Sequence, residues 1–424
     1  MTLIRGGWVI VVFQFLTAPW LVAQDAGPVR AVEKLEPHRV IERELGPRQT
    51  DEYTVDVKAG QFVRLVAWQM GVDVSVTVLD PLAKTVLEAD RLNGAFGPEA
   101  ASFIGEISGE HRVRVSSGST STGRYRMELM ELREPTEADP SRIEAERVEF
   151  QATREPRLRS IELFERARSI WHRLGDAYEE GLCLSAVGTH YSDLGEKQKA
   201  LDYYGLALPI RRVAGDRSGE AATLNNIGSV YDSLGEMQKA LDYYGQALPL
   251  FRAVGNRSGE AAILTNIGSV YSDLGEKRKA LEYYGQALPI RRAVGDRSGE
   301  AATLDNIGRV YSDLGEKQKA LSYFGQALPL YRAVADRYGE AAALNNIGYV
   351  YFDLGEKQKA LDHLGQALPL YRAVADRSGE ANALTGIGSV YSDLGEKQKA
   401  LDYYGLERSH LSAPSATGPA KPQL

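Results

Sequence analysis

The sequence contains a single cysteine, Cys183, among its 424 residues. With no second cysteine an intramolecular disulfide is excluded, so the folded chain must be stabilised by its hydrophobic core. Histidine is also scarce, and none of the six lies at a metal-binding spacing from another histidine, a cysteine or an acid. Cys183 and His190 lie on one predicted helix, about 10 Å apart along its axis, too far for a nucleophile and its base. We therefore expect no enzyme activity, no metal and no cofactor.

The sequence has no excess of positive charge. Lysine and arginine number 50 against 57 aspartates and glutamates, which gives a net charge of -7 and a pI near 5.6. The two signs are interleaved along the chain, so no segment has the continuous basic character of a phosphate-binding surface. We therefore expect no nucleic-acid partner.

Long hydrophobic runs are confined to the N-terminus. An apolar segment from Trp8 to Val22 follows Arg5 and ends at Ala23 before the sequence becomes polar. This order is typical of a secretory signal peptide, predicted here as residues 1–23. The run is shorter than the roughly 20 residues of a membrane-spanning helix, so we expect an exported, periplasmic or extracellular protein with no span after cleavage. An uncleaved N-terminal anchor is the alternative.

A 40-residue pattern recurs from residue 178 onward. The unit at 218, SGEAATLNNIGSVYDSLGEMQKALDYYGQALPLFRAVGNR, is followed at 258 by SGEAAILTNIGSVYSDLGEKRKALEYYGQALPIRRAVGDR. Self-similarity at such a period is typical of solenoid proteins. We number the units as repeats one to six: 178–217, 218–257, 258–297, 298–337, 338–377 and the partial 378–405.

Each unit has the pattern of two amphipathic helices. In the first helix, apolar and small residues recur at i, i+3, i+4 and i+7, which forms one buried stripe, and Gly235 supplies a left-handed cap at its end. The second helix carries a similar stripe. Neither helix can bury its stripe alone, so stacking of the repeats is required. The stripe residues in repeat two are Leu224, Ile227, Gly228, Tyr231, Ala240, Tyr244 and Ala247.

These small and large positions resemble the tetratricopeptide repeat, in its 40-residue, kinesin-light-chain-like form. The resemblance implies a right-handed α-solenoid over residues 178–405, with the first helix of each repeat on the concave side. Residues 141–177 resemble a degenerate capping helix pair, since Phe164 and Ala167 fall 40 residues before Tyr204 and Ala207. The second helix of repeat six is expected to be lost after Tyr404, and residues 406–424 are predicted to be a disordered tail. An apolar face left open there could be covered by a partner or by a second copy.

Residues 38–133 have a different period. Eight short segments alternate apolar and polar residues between glycine, proline and Asn-Gly turns, which predicts an antiparallel β-sandwich. The predicted fold class is therefore α+β and multidomain, with a β-sandwich followed by an all-α solenoid. The sandwich resembles the prepeptidase C-terminal-like domain of exported bacterial proteins. That resemblance depends on the Tyr53 strand, Ala59-Gly60-Gln61, the Asp73 strand, Asp80-Pro81, Gly97-Pro98-Glu99 and Gly123-Arg124-Tyr125.

The order of signal, sandwich and repeats resembles the front half of bacterial proteins that end in a caspase-like CHAT peptidase domain. Nothing in residues 406–424 matches that domain. This resemblance implies an alternative function, as the sensor or adaptor part of a CHAT-type system whose catalytic domain is on another chain. A further alternative is that the sandwich binds a carbohydrate or a cell surface.

Polar residues opposite the buried stripe of the first helix are the best candidate site. One asparagine recurs at the same place in repeats two to five, and stacking would align the four side chains as a ladder. A carboxamide both donates and accepts hydrogen bonds, which suits an extended peptide or protein segment in the concave groove. The alternative is that these asparagines cap or bridge neighbouring repeats. The ladder residues are Asn226, Asn266, Asn306 and Asn346, and the adjacent candidates are Asn225 and Asn345.

Residues at the groove vary between repeats that are otherwise nearly identical. Ser229 and Ser269 are replaced by Arg309 and Tyr349, and the serine at 272 and 312 by Phe352. Arginine and aromatic residues dominate many interfaces, so we predict Arg309, Tyr349 and Phe352 as an anchor for the bound segment.

Four oxygen-bearing residues near the ends of the predicted strands could bind calcium: Asp73, Asp80, Asp90 and Asn93. Their spacing is irregular. The alternative, acids placed in turns and at strand edges, requires no metal.

Overall fold

The structure is a computed structural model that describes residues 29–90, 96–118 and 122–412. The predicted signal peptide and Asn93 lie outside the described residues. Two parts follow one another along the chain, a β-sandwich and a helical solenoid. In the described part of the chain, no helix combines the length and the apolar character that a membrane crossing requires.

Two sheets form the sandwich, in the strand orders β1-β3-β8-β5-β6 and β2-β9-β4-β7. All eight predicted strands are present, and β1 is an additional strand that pairs with β3 in parallel. The other named pairings are antiparallel. The strands are β1 (Val29–Lys34), β2 (Val40–Leu45), β3 (Thr50–Val57), β4 (Phe62–Met70), β5 (Val74–Leu79), β6 (Thr85–Ala89), β7 (Phe96–Ile104), β8 (Gly109–Ser117) and β9 (Gly123–Arg133).

Alternate residues of both sheets fill a single apolar core. Val113 and Val115 of β8 are fully buried opposite Met127 of β9 in the other sheet. A polar link also joins the sheets, because the hydroxyls of Tyr53 and Tyr125 lie 2.5 Å apart and Tyr125 donates to Asp51 at 2.6 Å. Burial raises the pKa of Tyr53 to about 12, so its phenol keeps its proton at neutral pH.

Fourteen helices form the described remainder of the chain and pack in sequence order as antiparallel pairs. They are α1 (Asp139–Ala152), α2 (Arg157–Leu174), α3 (Ala177–Asp193), α4 (Lys197–Val213), α5 (Arg217–Ser233), α6 (Met237–Ala253), α7 (Arg257–Asp273), α8 (Lys277–Ala293), α9 (Arg297–Asp313), α10 (Lys317–Ala333), α11 (Arg337–Asp353), α12 (Lys357–Ala373), α13 (Arg377–Asp393) and α14 (Lys397–Ser412). Repeats one to six correspond to the pairs from α3–α4 to α13–α14. The predicted fold class, a β region followed by a solenoid of paired helices, is confirmed.

The first helix of each repeat lies on the inner side of the stack. First helices of successive repeats, such as α9 and α11, contact one another, and in the described residues second helices do so less. Residues on one line of the first helix, such as Ala222 and Ser229, are consequently exposed although the helix is packed on its other sides. This line is the inner face of the solenoid.

The first helices begin at a residue whose side chain caps them. Asp216 accepts a hydrogen bond from the backbone N–H of Gly219 at 2.8 Å, and Asp336 does the same with Gly339. An acceptor here satisfies one of the backbone donors that a helix leaves unpaired at its N-terminus. An aspartate or asparagine at this position therefore fixes where the first helix of each repeat starts.

The sandwich is attached to the solenoid through α1. The backbone N–H and the hydroxyl of Ser102 in β7 both donate to Glu146 of α1, at 2.8 and 2.9 Å. Arg154 forms an ion pair with Glu88 of β6 at 2.9 Å. The helix pair α1–α2 thus lies between the sandwich and repeat one.

Repeat six differs from its prediction. The second helix does not end after Tyr404, because α14 continues to Ser412, and the tail predicted from residue 406 therefore begins with helix. Residues 406–412 contain neither glycine nor proline, so nothing in this segment interrupts the helix. Residues 413–424 lie outside the described residues.

Two alanines occupy a backbone conformation that favours glycine. The residue after the second helix is left-handed in each complete repeat, and it is Gly295 in repeat three but Ala335 and Ala375 in repeats four and five. Their φ angles are 56° and 55°. A Cβ group destabilises this conformation by about 1 kcal/mol.

We therefore expect Ala335→Gly and Ala375→Gly each to raise the free energy of unfolding by about 1 kcal/mol. Thermal unfolding of the full chain, followed by circular dichroism, measures the change. Gly295→Ala is the matched control, because a Cβ there would meet no atom within 4 Å and the loss would come from the backbone alone. If Ala335→Gly and Ala375→Gly both left the free energy of unfolding unchanged or lowered it, this account would be wrong.

Candidate functional site

The asparagine ladder lies on the inner face, and part of it bridges repeats. Asn266 donates to Asn225 of the preceding repeat at 3.1 Å, and Asn346 donates to Asp305 at 3.3 Å. These contacts are the bridging role that the sequence left open as an alternative. All four ladder residues are only half-buried, so bridging does not remove them from the inner face.

The remaining ladder residues have different surroundings. Asn226 accepts a hydrogen bond from Asn225 at 3.3 Å. For Asn306, the position that should hold the bridging acceptor is occupied by Thr265, as Asn225 and Asp305 occupy it for Asn266 and Asn346. The hydroxyl of Thr265 donates instead to the carbonyl of Ala261 in its own helix. Thr265 has satisfied its hydroxyl locally, which explains why repeat three differs from its neighbours.

The inner face contains two clefts, one near each end of the solenoid. The first cleft has a volume of about 440 Å³ between α3 and α5, and Asn226 lines it. The second cleft has a volume of about 570 Å³ between α9, α11 and α13. Its walls include Ala302, Asp305, Arg309, Tyr331, Asp336, Tyr338, Asn345, Asn346, Tyr371 and Asn382.

A buried carboxylate lies in the second cleft. Asp305 is only 8% exposed, and burial raises its pKa to about 6, although the hydrogen bond from Asn346 and the charge of Arg309 act in the opposite direction. Tyr331 of α10 and Tyr371 of α12 face the same carboxylate. Burial and the nearby charge of Asp305 both raise the pKa of each phenol.

The neighbouring amide is also buried. Asn345 is 8% exposed, and its Oδ1 atom has no hydrogen-bond partner in the described part of the chain. Most buried polar atoms in folded proteins have a partner, so an unpaired acceptor on a cleft wall needs an explanation. The second cleft is therefore lined by two buried acceptors, Asp305 and Asn345.

The predicted anchor is divided between two places. Arg309 is exposed at the second cleft. Tyr349 donates to the carbonyl of Asn382 at 2.8 Å and packs against Gly386, whereas Phe352 packs into an apolar cluster with Leu364. The structure does not bring the two aromatic side chains together with Arg309.

Sequence reasoning missed several residues of the second cleft. Asp305 was not predicted as a site residue, and neither were four others. Each differs from its counterpart in another repeat, which was a usable signal, but the prediction examined only the middle of the first helix. These four are Tyr331, Tyr338, Tyr371 and Asn382.

The possible calcium ligands have local structural roles where the structure describes them. Asp80 accepts from the backbone N–H groups of Leu82 and Lys84, at 2.9 and 2.8 Å, and so stabilises its own turn. Asp73 is half-buried and Asp90 is exposed at the end of its strand. Desolvation raises the pKa of both, with the charge of Asp90 adding to the effect on Asp73. Among the described residues no group of three histidine, cysteine or acidic side chains is placed to hold a metal.

Cys183 and His190 contact different partners. The thiol of Cys183 donates to Glu149 at 2.9 Å, and the His190 ring lies 2.9 Å from the hydroxyl of Ser160. Burial lowers the pKa of His190, so its ring is neutral near pH 7. The two side chains therefore belong to the packing of α1, α2 and α3.

The family model of the tetratricopeptide repeat matches residues 219–293, 259–333 and 339–405. The helical repeats are tetratricopeptide repeats. None of the curated proteins matches the chain. The helices resemble several solved structures at low identity, a likeness that shows the fold alone.

One similar structure is the apo form of RapI, at 18% identity and a TM-score of 0.53, covering 63% of this chain and 97% of that one. A second is a signal transduction ATPase with a tetratricopeptide repeat sensor from Pyrococcus horikoshii, at 17% identity and a TM-score of 0.55. That match covers 64% of this chain and 42% of the ATPase. A third is aspartyl phosphate phosphatase F from Bacillus subtilis, at 14% identity and a TM-score of 0.52. The match covers 65% of this chain and 72% of that one.

The raised pKa of Asp305 predicts a pH-dependent stability. Between about pH 4 and 6 the native chain holds a proton on Asp305 that the unfolded chain has lost, so the free energy of unfolding falls as the pH rises through this window. Asp305→Asn removes this loss while keeping an acceptor for Asn346, as Asn225 already does for Asn266. We expect the variant to be more stable by on the order of 1–3 kcal/mol at pH 8 and nearly unchanged at pH 4.

Urea denaturation of the full chain across this pH range measures the difference. Asp202→Asn, on the exposed side of α4, is the control and should show the same difference at every pH. An Asp305→Asn effect independent of pH would show that the carboxylate does not titrate in this window.

Gly386 replaces the ladder asparagine in repeat six because Tyr349 occupies the space. A Cβ on Gly386 would lie 3.2 Å from the Tyr349 hydroxyl and 3.0 Å from Leu364 Cδ1. Gly386→Asn should therefore destabilise the chain by about 1–2 kcal/mol, although it restores the residue of the other repeats. In a double variant that also carries Tyr349→Ser, most of this loss should be recovered, because serine is the residue at the corresponding position 229 of repeat two. Equal effects of Gly386→Asn in both backgrounds, in urea denaturation, would rule out the proposed contact.

Proposed function

We propose that this protein is an exported interaction scaffold that binds a peptide or an extended protein segment along the inner face of its tetratricopeptide solenoid, without catalysis of its own. The observation that carries the proposal is the second cleft, where buried polar groups and aromatic side chains are gathered on an otherwise repetitive surface. A repeat protein offers an extended concave surface of this kind for recognition.

The half-buried asparagines support a peptide ligand in particular. Bridging uses one amide N–H of Asn266 and of Asn346, so each retains further hydrogen-bonding capacity toward the open side of the groove. An extended peptide presents backbone donors and acceptors at regular intervals. A row of carboxamides can pair with these groups without regard to the peptide sequence.

Export is supported by the sequence of residues 1–23, with its apolar run after Arg5 and its polar continuation after Ala23. The absence of a cysteine pair and the large buried core mean that folding outside the cytoplasm requires no oxidation step. The single cysteine is buried.

A groove-filling variant tests the binding proposal. Ala222 and Ala302 are exposed and line the first and second clefts, so the double substitution Ala222→Trp and Ala302→Trp fills both. Peptides selected on the full chain from a random displayed library should bind this variant at least tenfold more weakly. Fluorescence anisotropy with the labelled peptides measures the affinity.

The matched control places tryptophan on the second helices of the same repeats. Gln246 and Gln326 are exposed on α6 and α10, so Gln246→Trp with Gln326→Trp should leave the affinity unchanged. Selected peptides that bind both variants equally would place the site away from the inner face. Circular dichroism confirms that both variants retain their helices.

A further inference from the structure

Two repeats of the solenoid bury an arginine of their own at the junction with the next repeat. In repeat one, Arg211 Nε donates to the hydroxyl of Ser185 at 3.0 Å, and its guanidinium pairs with Asp216, the cap of the next first helix. Arg211 is only 7% exposed. Repeat three keeps the ion pair, in which Arg291 pairs with the cap Asp296, but Arg291 Nε has no hydrogen-bond partner among the described residues.

Repeats four and five keep the acceptors and lack the arginine. The position of Arg211 is occupied by Tyr331 in repeat four, while the cap Asp336 remains. The position of Ser185 is occupied by Asp305, which replaces a hydroxyl by a carboxylate. In the described part of the chain, neither carboxylate takes part in an ion pair, although both lie close enough to Tyr331 to affect its phenol.

We propose that the second cleft binds the guanidinium of an arginine side chain presented by the peptide ligand, with Asp305 and Asp336 as its acceptors. The inference rests on the proposed function and specifies what the groove recognises. The ligand would supply in repeat four the group that Arg211 and Arg291 supply internally elsewhere.

The unpartnered amide independently indicates a missing donor. Asn345 Oδ1 is buried on the wall of the same cleft and accepts no hydrogen bond from the described residues. A guanidinium carries five N–H donors in a planar fork, so it can donate to more than one acceptor of the cleft at once. An ammonium group has three donors and no plane to match these acceptors.

The aromatic walls suit the same group. Tyr331, Tyr338 and Tyr371 line the cleft, and a guanidinium stacks on aromatic faces while its edges form hydrogen bonds. Arg309 is exposed at the rim, so it disfavours a ligand with a second cation next to the arginine and favours one with an acidic or neutral neighbour.

Displayed random peptides, selected on the full chain, test the inference. Peptides that depend on the inner face should share an arginine. In a synthetic copy of one such peptide, replacing this arginine by citrulline, its neutral isostere, should weaken binding at least tenfold, and replacement by lysine should weaken it severalfold. Binding that is unchanged by citrulline would overturn the inference.

Two variants of the protein separate recognition from folding. Asp305→Asn should weaken the arginine peptide about tenfold or more without weakening its citrulline copy. Tyr331→Arg restores the internal guanidinium of Arg291 and should abolish binding by occupying the cleft. Phe251→Arg makes the corresponding change in repeat two, outside the second cleft, and should leave binding unchanged. Retained affinity in Tyr331→Arg would also overturn the inference.

The outcomes distinguish this inference from the function on which it rests. If selected peptides lose binding in the groove-filling variant but contain no shared arginine, the scaffold function stands and arginine recognition fails. If no selected peptide is sensitive to the groove-filling variant, both fail. Melting temperatures of all variants show that lost binding does not come from unfolding.

Discussion

The solenoid depends on the contact between a glycine of each first helix and a bulky side chain of the following second helix. A Cβ on Gly228 would lie 2.6 Å from Cε1 of Tyr244, closer than any real Cβ contact, so no other residue fits without displacing the ring. Glycine weakens an isolated helix by about 1 kcal/mol relative to alanine, and burial of the ring offsets that loss. The corresponding pairs are Gly188 with Tyr204, Gly268 with Tyr284, Gly308 with Phe324, Gly348 with Leu364 and Gly388 with Tyr404.

This contact sets the distance between the two helices of a repeat, and further contacts set their orientation. Tyr231 and Tyr243 stack at 5.5 Å beside the turn, and Lys239 lies 4.9 Å above the Tyr231 ring. Because every repeat has nearly the same geometry, residues at equivalent positions meet equivalent neighbours. A residue that differs from its counterparts can therefore be interpreted directly, since the surroundings are held constant.

Most of the fold follows from the sequence because it is encoded locally. The 40-residue period, the glycine caps and the alternating strands each predict an element without knowledge of distant contacts. Strand β1 was missed because its parallel pairing with β3 depends on the rest of the sheet. The end of α14 was missed because the repeat pattern stops there while the helical composition continues.

The second cleft was predicted less well, because its residues come from five helices of three repeats. Asn345 and Asn346 were identified, but Tyr331 and Tyr371 come from second helices, and only stacking brings them beside Asp305. Tyr349 and Phe352 were expected in the groove because aromatic residues are common at interfaces. Instead Tyr349 packs against Gly386, and both aromatic side chains pack on the apolar cluster that contains Leu364. Variation between repeats is therefore in part mutual compensation, which only the three-dimensional arrangement reveals.

The solenoid architecture limits how many repeats are destabilised by the buried polar groups of the second cleft. A buried carboxylate with a raised pKa and an unpaired amide both destabilise the native state, and in a single globular core their cost would fall on the whole fold. In a solenoid each repeat contacts only its neighbours, so the cost of these groups falls on repeats four to six and not on the whole chain. The left-handed Ala335 and Ala375 fall in the same region. Two left-handed alanines, a buried carboxylate with a raised pKa and an unpaired amide thus fall in neighbouring repeats. The glycines at 255 and 295 show that alanine is not required at the first of these positions, so the scaffold alone does not account for these residues, and a binding site as proposed for the second cleft does.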